Sequence, residues 1–166
     1  MNLTEAHNLA ESLIHKYLTR PEVHQHNWKF KFSNSKCSFG TCEWGRNVKL
    51  IELSKPLTEL NSKEEVLDTI LHEIAHALDF QIRGFSNHDY IWRKIAKGIG
   101  CNGERCYDRN TVNLPEAKYT LKCNGCEKTT TRHRKPKRGM ACGSCCRKHN
   151  NGRYSSDYIF DIKKNF

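Results

Sequence analysis

Residues 66–88 read VLDTILHEIAHALDFQIRGFSNH and determine the fold, because their apolar residues follow a helical pattern. They also contain three histidines and one glutamate. His72 and His76 are four residues apart, so on an α-helix they offer two imidazoles to one metal ion. Glu73 lies beside them, where a carboxylate can take the proton of a water whose pKa zinc lowers to about 7. These residue types at this spacing are typical of metal-assisted peptide-bond hydrolysis.

The apolar residues of this stretch recur every three to four positions, which predicts one helix with a single buried stripe beside the motif histidines. They are Val66, Leu67, Ile70, Leu71, Ile74, Ala75 and Leu78. Gly84 ends the pattern, and residues 86–89 predict the capping box of a second helix, with His88 in its first turn. A helix N-terminus disfavours a charged imidazolium, so we expect His88 to be neutral and able to bind a metal ion.

The third metal ligand is less firmly fixed by the pattern than the two motif histidines. His88 is the expected ligand, and Asp89 and Glu104 are the alternatives. The longer zincin consensus, in which a third His follows the second by six residues, is excluded because Ile82 stands there and Asp79 replaces the expected Gly. The alternative that the motif histidines are merely solvated leaves a Glu inside an apolar helix unexplained.

The N-terminal part of the chain predicts one helix and three strands, which together with the motif helix give an α+β fold. Residues 3–18 have helical periodicity, whereas residues 28–32 alternate between apolar and basic side chains, as in a half-buried strand. Residues 37–44 and 48–53 are two further strand candidates. We predict a three-stranded antiparallel meander under the motif helix, with residues 48–53 as the edge strand that holds an extended peptide.

The chain of 166 residues and its nine cysteines predict two modules, residues 1–114 and 115–166. No stretch is apolar enough to span a membrane, and the first residues do not resemble an export signal. Together with the cysteine spacing, this favours a reducing compartment over secretion. We therefore expect a cytoplasmic protein, associated with the nucleoid or, in a eukaryote, located in the nucleus.

The second module contains two CxxC pairs, which predict a structural zinc ribbon. The pairs are Cys123/Cys126 and Cys142/Cys145, with fifteen residues between them. This spacing suits a tetrahedral zinc site, although Cys146 could replace Cys145 as a ligand. So short a module buries little apolar surface, so zinc binding would provide much of its folding free energy.

Positive charge is concentrated in the same module. Residues 118–153 contain eleven Lys or Arg and one acidic residue, whereas the net charge of the whole chain is +10. Such a patch is typical of a polyanion-binding surface, and nucleic acid is the commonest partner, with an acidic protein as the alternative. The expected DNA contacts are Arg132, Arg134, Lys135, Lys137 and Arg138.

Four further cysteines form two pairs, Cys37/Cys42 and Cys101/Cys106, each separated by four residues. A second zinc site built from them is conceivable, but we expect buried free thiols. A disulfide is disfavoured by the compartment expected above.

Four segments in order resemble the SprT-like metallopeptidases, the family that includes Spartan. They are NSKCSFGTCEW (34–44), IELSKPL (51–57), VLDTILHEIAHAL (66–78) and HDYIW (88–92). The resemblance covers about residues 34–100 and implies a zincin-like metalloprotease core, in which His72, His76 and His88 bind zinc and Glu73 is the catalytic base. A zinc ribbon follows the core in many members, as it does in this chain.

The resemblance implies a zinc-dependent endopeptidase for proteins bound or crosslinked to DNA, with one catalytic and one structural zinc and a ribbon that recruits DNA. The alternative is a non-catalytic, zinc-containing nucleic-acid-binding protein. Glu73 disfavours it, because a purely structural zinc site uses a fourth protein ligand and no base. The sequence does not identify an oxyanion stabiliser; Arg83 and Tyr90 are the candidates that lie near the motif in sequence.

Overall fold

The computed structural model describes residues 1–19, 28–107 and 111–166. The chain divides into two compact units, Met1–Pro115 and Glu116–Phe166, so the division falls one residue after the predicted boundary. Each unit contains a three-stranded sheet together with helices, a mixed α and β architecture. No helix within the described ranges is long and apolar enough to cross a membrane.

The elements of the N-terminal unit are α1 (Leu3–Leu18), β1 (Lys29–Ser33), β2 (Gly40–Trp44), β3 (Lys49–Ser54), α2 (Lys55–Leu60), α3 (Lys63–Arg83) and α4 (Tyr90–Gly98). Those of the C-terminal unit are β4 (Tyr119–Cys123), β5 (Thr129–Arg132), α5 (Gly143–His149), a 3-10 turn (Ser156–Tyr158) and β6 (Phe160–Lys164).

The first helix matches its sequence pattern. The side chain of Asn2 caps α1 by accepting a hydrogen bond from the backbone N–H of Glu5. The buried residues recur every four positions along one face, and α1 packs on α3 through this unit's core. They are Ala6, Ala10, Ile14 and Leu18.

The predicted antiparallel meander is wrong, because the sheet has the order β1-β3-β2 and β1 runs parallel to β3. The cause lies in the connection after β1. Ser54, at the end of β3, donates through its hydroxyl to the carbonyl of Ser35 and through its N–H to the carbonyl of Phe39. The connecting segment therefore crosses the end of β3, and β2 returns antiparallel on its far side. Alternation along a strand identifies its buried face but not its partners.

The strand predicted to hold a peptide also needs correction. β3, which corresponds to the predicted segment 48–53, is the central strand and is hydrogen-bonded on both sides. It has no free edge for a further strand. The edge next to α3 belongs to β2 instead, since β2 pairs only with β3 among the described strands and contacts α3.

The long helix α3 begins and ends where its capping signals stand. The hydroxyl of Ser62 accepts from the N–H of Glu65 at its start, and Gly84 ends it with φ 77°, a left-handed conformation that favours glycine. The buried stripe includes Ile70 and Ile74, both fully buried in the core with Ile51 of β3. The predicted helix and its core face are confirmed.

Helix α4 begins later than the sequence predicted. Asp89 is its N-cap and accepts hydrogen bonds from the N–H groups of Ile91 and Trp92. His88 therefore lies just outside the helix, before the cap, and not in its first turn. Ser86 is not part of a capping box, since its hydroxyl is bound to a histidine ring of α3.

The C-terminal unit is a small antiparallel sheet of order β5-β4-β6. Its core is dominated by cysteines, because Cys123, Cys142 and Cys145 are buried and pack with Tyr158 and Phe160. Apart from these cysteines, the buried apolar residues of this unit are only Leu121 and Cys146, as expected for a module whose folding depends on a bound metal.

The core assignment of α3 predicts a large difference between two isoleucines of this helix. Ile74→Ala removes a fully buried side chain and should lower the free energy of unfolding by about 2–5 kcal/mol. Ile82→Ala is the matched control, since Ile82 is 69% exposed and its loss should change stability by less than about 0.5 kcal/mol. Urea unfolding followed by tryptophan fluorescence measures both, because all three tryptophans lie in the N-terminal unit. Equal effects of the two changes would contradict this core.

Candidate metal centre and active site

Three histidine side chains converge in the N-terminal unit. The Nε2 atoms of His72 and His88 are 3.0 Å apart, those of His76 and His88 3.1 Å, and those of His76 and His72 3.2 Å. A ring nitrogen is either a donor or an acceptor, so hydrogen bonds alone cannot satisfy all three pairs. Nitrogens bound to a tetrahedral zinc at about 2.0–2.1 Å lie roughly 3.3 Å apart. The triangle could therefore bind zinc, and its ligand set is the one expected from the sequence.

Contacts behind the rings hold two of these histidines in place. Nδ1 of His76 lies 2.8 Å from the hydroxyl of Ser86, which leaves Nε2 to face the centre of the triangle. The backbone of Glu104, in the segment that follows α4, favours a protonated ring nitrogen on His72 and opposes part of the fall in its pKa. Partners of this kind fix the tautomer and the orientation of a metal-binding imidazole.

Trp92 contacts all three imidazole rings. Its ring centroid is 4.7 Å from that of His72, 5.0 Å from that of His76 and 4.5 Å from that of His88, and the residue is fully buried. From the sequence, Trp92 has no role beyond its place in the HDYIW segment (88–92). Its spacing of four residues from His88 was the only signal of this role, because the contact with α3 is non-local.

The environment keeps the three rings neutral. Burial lowers the pKa of His72 to about 4, and the neighbouring His88 adds to this effect. Burial lowers the pKa of His76 to about 3, with smaller contributions from His72 and His88. The pKa of His88 is also lowered, by burial and by the charge of Arg105. All three are therefore uncharged at neutral pH, which is the form that binds metals.

Glu73 is buried between α3 and β2 and does not belong to the histidine triangle. A Cβ atom at Gly40 would lie 2.7 Å from its Oε1 and 2.9 Å from Cγ2 of Thr69, so only glycine allows this approach of helix and strand. Burial raises the pKa of Glu73 to about 8. The carboxyl group therefore binds a proton readily near neutral pH, as a general acid and base requires.

The histidines and Glu73 open into a cleft of about 410 Å³. One wall is the edge strand β2 and a second is the segment 102–107, while α3 carries most of the polar lining. Asp68 of α3 anchors the second wall, since its carboxylate accepts from the N–H of Asn102 at 2.8 Å. The cleft thus runs beside the triangle along the outer edge of β2, which no other described strand pairs with.

The alternative third ligands and the suggested oxyanion stabilisers lie outside the histidine triangle. Asp89 caps α4 and binds Arg83, and Glu104 lines the cleft without joining the triangle. Arg83 is held by Asp79 and Asp89, and Tyr90 is 76% exposed; neither lines the cleft.

The four remaining cysteines of the N-terminal unit do not form a second metal group within the described residues. Cys101 is buried and Cys42 partly so, and burial raises the pKa of both thiols. Cys37 and Cys106 are exposed at the cleft, so the expectation of buried thiols is wrong for these two. Their segments connect strands and helices outside the core, which a spacing pattern cannot show.

The C-terminal unit brings four cysteines together. The Sγ atoms of Cys123 and Cys145 are 3.8 Å apart, as are those of Cys126 and Cys142. Zinc–sulfur bonds of about 2.3 Å in a tetrahedron place sulfurs roughly 3.8 Å apart, so the group could bind zinc. Cys145 belongs to this group and Cys146 does not. Backbone N–H groups, chiefly that of Cys145, lower the pKa of Cys142 to about 6, which favours the thiolate that a metal binds.

The five basic residues expected to contact DNA are all exposed. Arg132 ends β5, and the others lie in the segment between β5 and α5. They are Arg132, Arg134, Lys135, Lys137 and Arg138. Glu127, the acidic residue of this basic stretch, pairs with Lys122 at 3.0 Å and leaves these five charges to solvent or a partner.

The two ligand groups predict two zinc ions per chain. His88→Ala should remove one of them, and Cys145→Ser the other, because each change deletes one ligand of a converging set. Cys146→Ser is the matched control and should retain both, since this neighbouring buried thiol is outside the group. Elemental analysis of dialysed protein gives the stoichiometry. Loss of zinc from the Cys146 variant, or full zinc in the His88 variant, would contradict the assignment.

Comparison with known proteins agrees with this geometry. A protein named Protein SprT-like, from Bacillus cereus (strain ATCC 10987 / NRS 248), is 26% identical over 148 residues, which cover 87% of this chain and 93% of that protein. The family model described as the SprT-like family matches residues 6–118, a range that includes the histidine triangle and Glu73 and ends before the four cysteines. Because this match spans more than half of the sequence, the chain belongs to the SprT-like family.

Proposed function

We propose that this protein is a zinc-dependent endopeptidase that cleaves proteins bound or crosslinked to DNA. The observation that carries the proposal is the histidine triangle beside a buried glutamate that is not a ligand, at the bottom of an open cleft. Three protein ligands, and not four, are typical of catalytic zinc sites. When bound, zinc would polarise the scissile carbonyl and lower the pKa of the attacking water.

Glu73 moves the proton in the proposed reaction. Its carboxylate takes a proton from the attacking water and delivers it to the nitrogen of the leaving amine, so one residue acts first as base and then as acid. The close approach to Gly40 supports this role, because the absence of a side chain there leaves room for the buried carboxyl group beside the cleft. Burial raises the pKa of Glu73, which makes its carboxylate a stronger base than that of an exposed glutamate.

The substrate chain would bind along β2. This strand borders the cleft and, among the described strands, pairs only with β3, so its outer N–H and C=O groups can hydrogen-bond an extended peptide. Recognition through backbone groups is largely independent of sequence. It requires a substrate segment that is already unfolded, such as a protein tail or a loosened loop.

The charge of the C-terminal unit supports DNA as the partner that brings substrates to the protease. Five cations lie exposed on β5 and the adjoining segment, and the family resemblance implies substrates attached to DNA. Phosphate contacts of Lys and Arg do not depend on base sequence. A protease recruited in this way would act on many DNA-bound proteins.

The proposed base predicts a separation of metal binding from catalysis. Glu73→Gln preserves the size of the side chain but removes the base, so zinc content should be unchanged while the rate of peptide cleavage falls by about a hundredfold or more. Glu65→Gln is the matched control, because Glu65 lines the same cleft on the same helix outside the triangle. Cleavage of an unstructured peptide measures both. Wild-type rates in the Glu73 variant would remove the enzyme proposal and favour the non-catalytic alternative.

The proposed DNA surface predicts a change in salt dependence. Neutralising Arg132, Arg134, Lys135, Lys137 and Arg138 should weaken DNA binding and reduce the slope of log K against log salt by roughly 0.7–0.9 for each phosphate group that the variant no longer binds. Peptide cleavage in the absence of DNA should change little, because no residue of the triangle is touched.

The matched control neutralises five exposed lysines of the N-terminal unit, which lowers the net charge equally. These are Lys29, Lys36, Lys55, Lys63 and Lys94. Fluorescence anisotropy at several salt concentrations measures the slope for both proteins. An unchanged slope in the C-terminal variant, or an equal reduction in the control, would contradict a specific DNA surface on the C-terminal unit.

A further inference from the structure

His88 is the one histidine of the triangle that α3 does not carry. The helix fixes His72 and His76 relative to each other, but His88 stands beyond the end of α3, after a left-handed turn at Gly84. Its ring must nevertheless lie within 3.0–3.1 Å of both other Nε2 atoms. Some interaction has to hold this connecting segment in place.

A triad of charged residues, Asp79, Arg83 and Asp89, links the end of α3 to the residue that follows His88. Arg83 donates to Asp79 through Nε at 2.7 Å and Nη2 at 2.6 Å, and to Asp89 through Nη1 at 2.8 Å and Nη2 at 3.2 Å. The Asp79 side chain is fully buried and that of Arg83 is 15% exposed. Only a guanidinium can bind two carboxylates in this forked manner, because a lysine offers one point charge.

The triad joins the two segments that carry the ligands. Asp79 follows His76 by three residues on α3, and Asp89 is the residue immediately after His88. The same Asp89 carboxylate also caps α4, where it accepts from the N–H of Trp92, whose ring contacts the whole triangle. One carboxylate thus sets the position of His88 on one side and of the aromatic ring on the other.

We propose that Asp79, Arg83 and Asp89 are positioning residues that set the zinc affinity of the histidine triangle. The inference rests on the zinc site of the proposed function but not on peptide hydrolysis. With the triad intact, the third ligand is already in place before a metal arrives, so binding does not have to order the connection. Residues that orient metal ligands typically contribute 10–100-fold to metal affinity.

Two substitutions test the inference by different routes. Arg83→Lys keeps the positive charge and loses the fork, whereas Asp89→Asn keeps an oxygen to cap α4 and loses the charge and the bidentate contact. Lys31→Gln is the matched control, since it breaks an ion pair with Glu52 in the same unit, at 3.1 Å, in which the Lys31 side chain is 57% exposed. Zinc affinity is measured by competition with a chelator on the full chain, well below the melting temperature of each variant.

We expect both variants to bind zinc at the triangle roughly 10–100-fold more weakly, with the cysteine site unchanged as an internal reference. The double variant should lose little more than the single ones, because both changes break the same contact. If Arg83→Lys does not fold, Asp89→Asn decides alone. Affinity within twofold of the control would overturn the inference. A wild-type chain without zinc at the triangle would overturn the proposed function as well, so the two failures are distinguishable.

Discussion

The convergence of three imidazole nitrogens within 3.0–3.2 Å is the constraint on which the N-terminal unit depends. Neutral rings at this distance do not attract one another strongly, so the surrounding fold has to hold them together. Helix α3 fixes two of them by its periodicity, and α4 supplies Trp92 behind all three. The long helix is in turn held by the buried face that packs on α1 and on the sheet. The core therefore determines the geometry of the site.

A second constraint is the close contact between α3 and the edge strand β2. Gly40 lets the helix approach until Glu73 is buried against the strand, which raises the pKa of this carboxyl group. The same approach places the outer edge of β2 alongside the histidines, in the wall of the cleft. Under the proposed function, the absence of a side chain at Gly40 thus sets two quantities. They are the pKa of the base, Glu73, and the distance between the substrate backbone and the metal.

Local patterns predicted the parts of this protein that depend on local spacing. The helical register of His72 and His76, the core face of α3 and each of the two CxxC pairs follow from residues close together in the chain. The sheet order was not predictable, because it depends on the hydrogen bonds of Ser54 to a segment far from it in sequence. The edge strand was therefore assigned wrongly. Arg83 was a candidate to stabilise an oxyanion, whereas in the structure its guanidinium binds the carboxylates of Asp79 and Asp89.

The cysteine group and the histidine triangle differ in the number and charge of their ligands, and this difference agrees with the separate roles proposed for the two units. Four cysteines complete a tetrahedron, and their thiolates would more than offset the charge of a zinc ion and leave no position for a further ligand. Three neutral imidazoles leave that charge uncompensated and one position free, on the side of the cleft. An uncompensated cation is what polarises a carbonyl group and acidifies water. The donor atoms alone thus favour a structural role for the cysteine group and a reactive role for the histidine triangle.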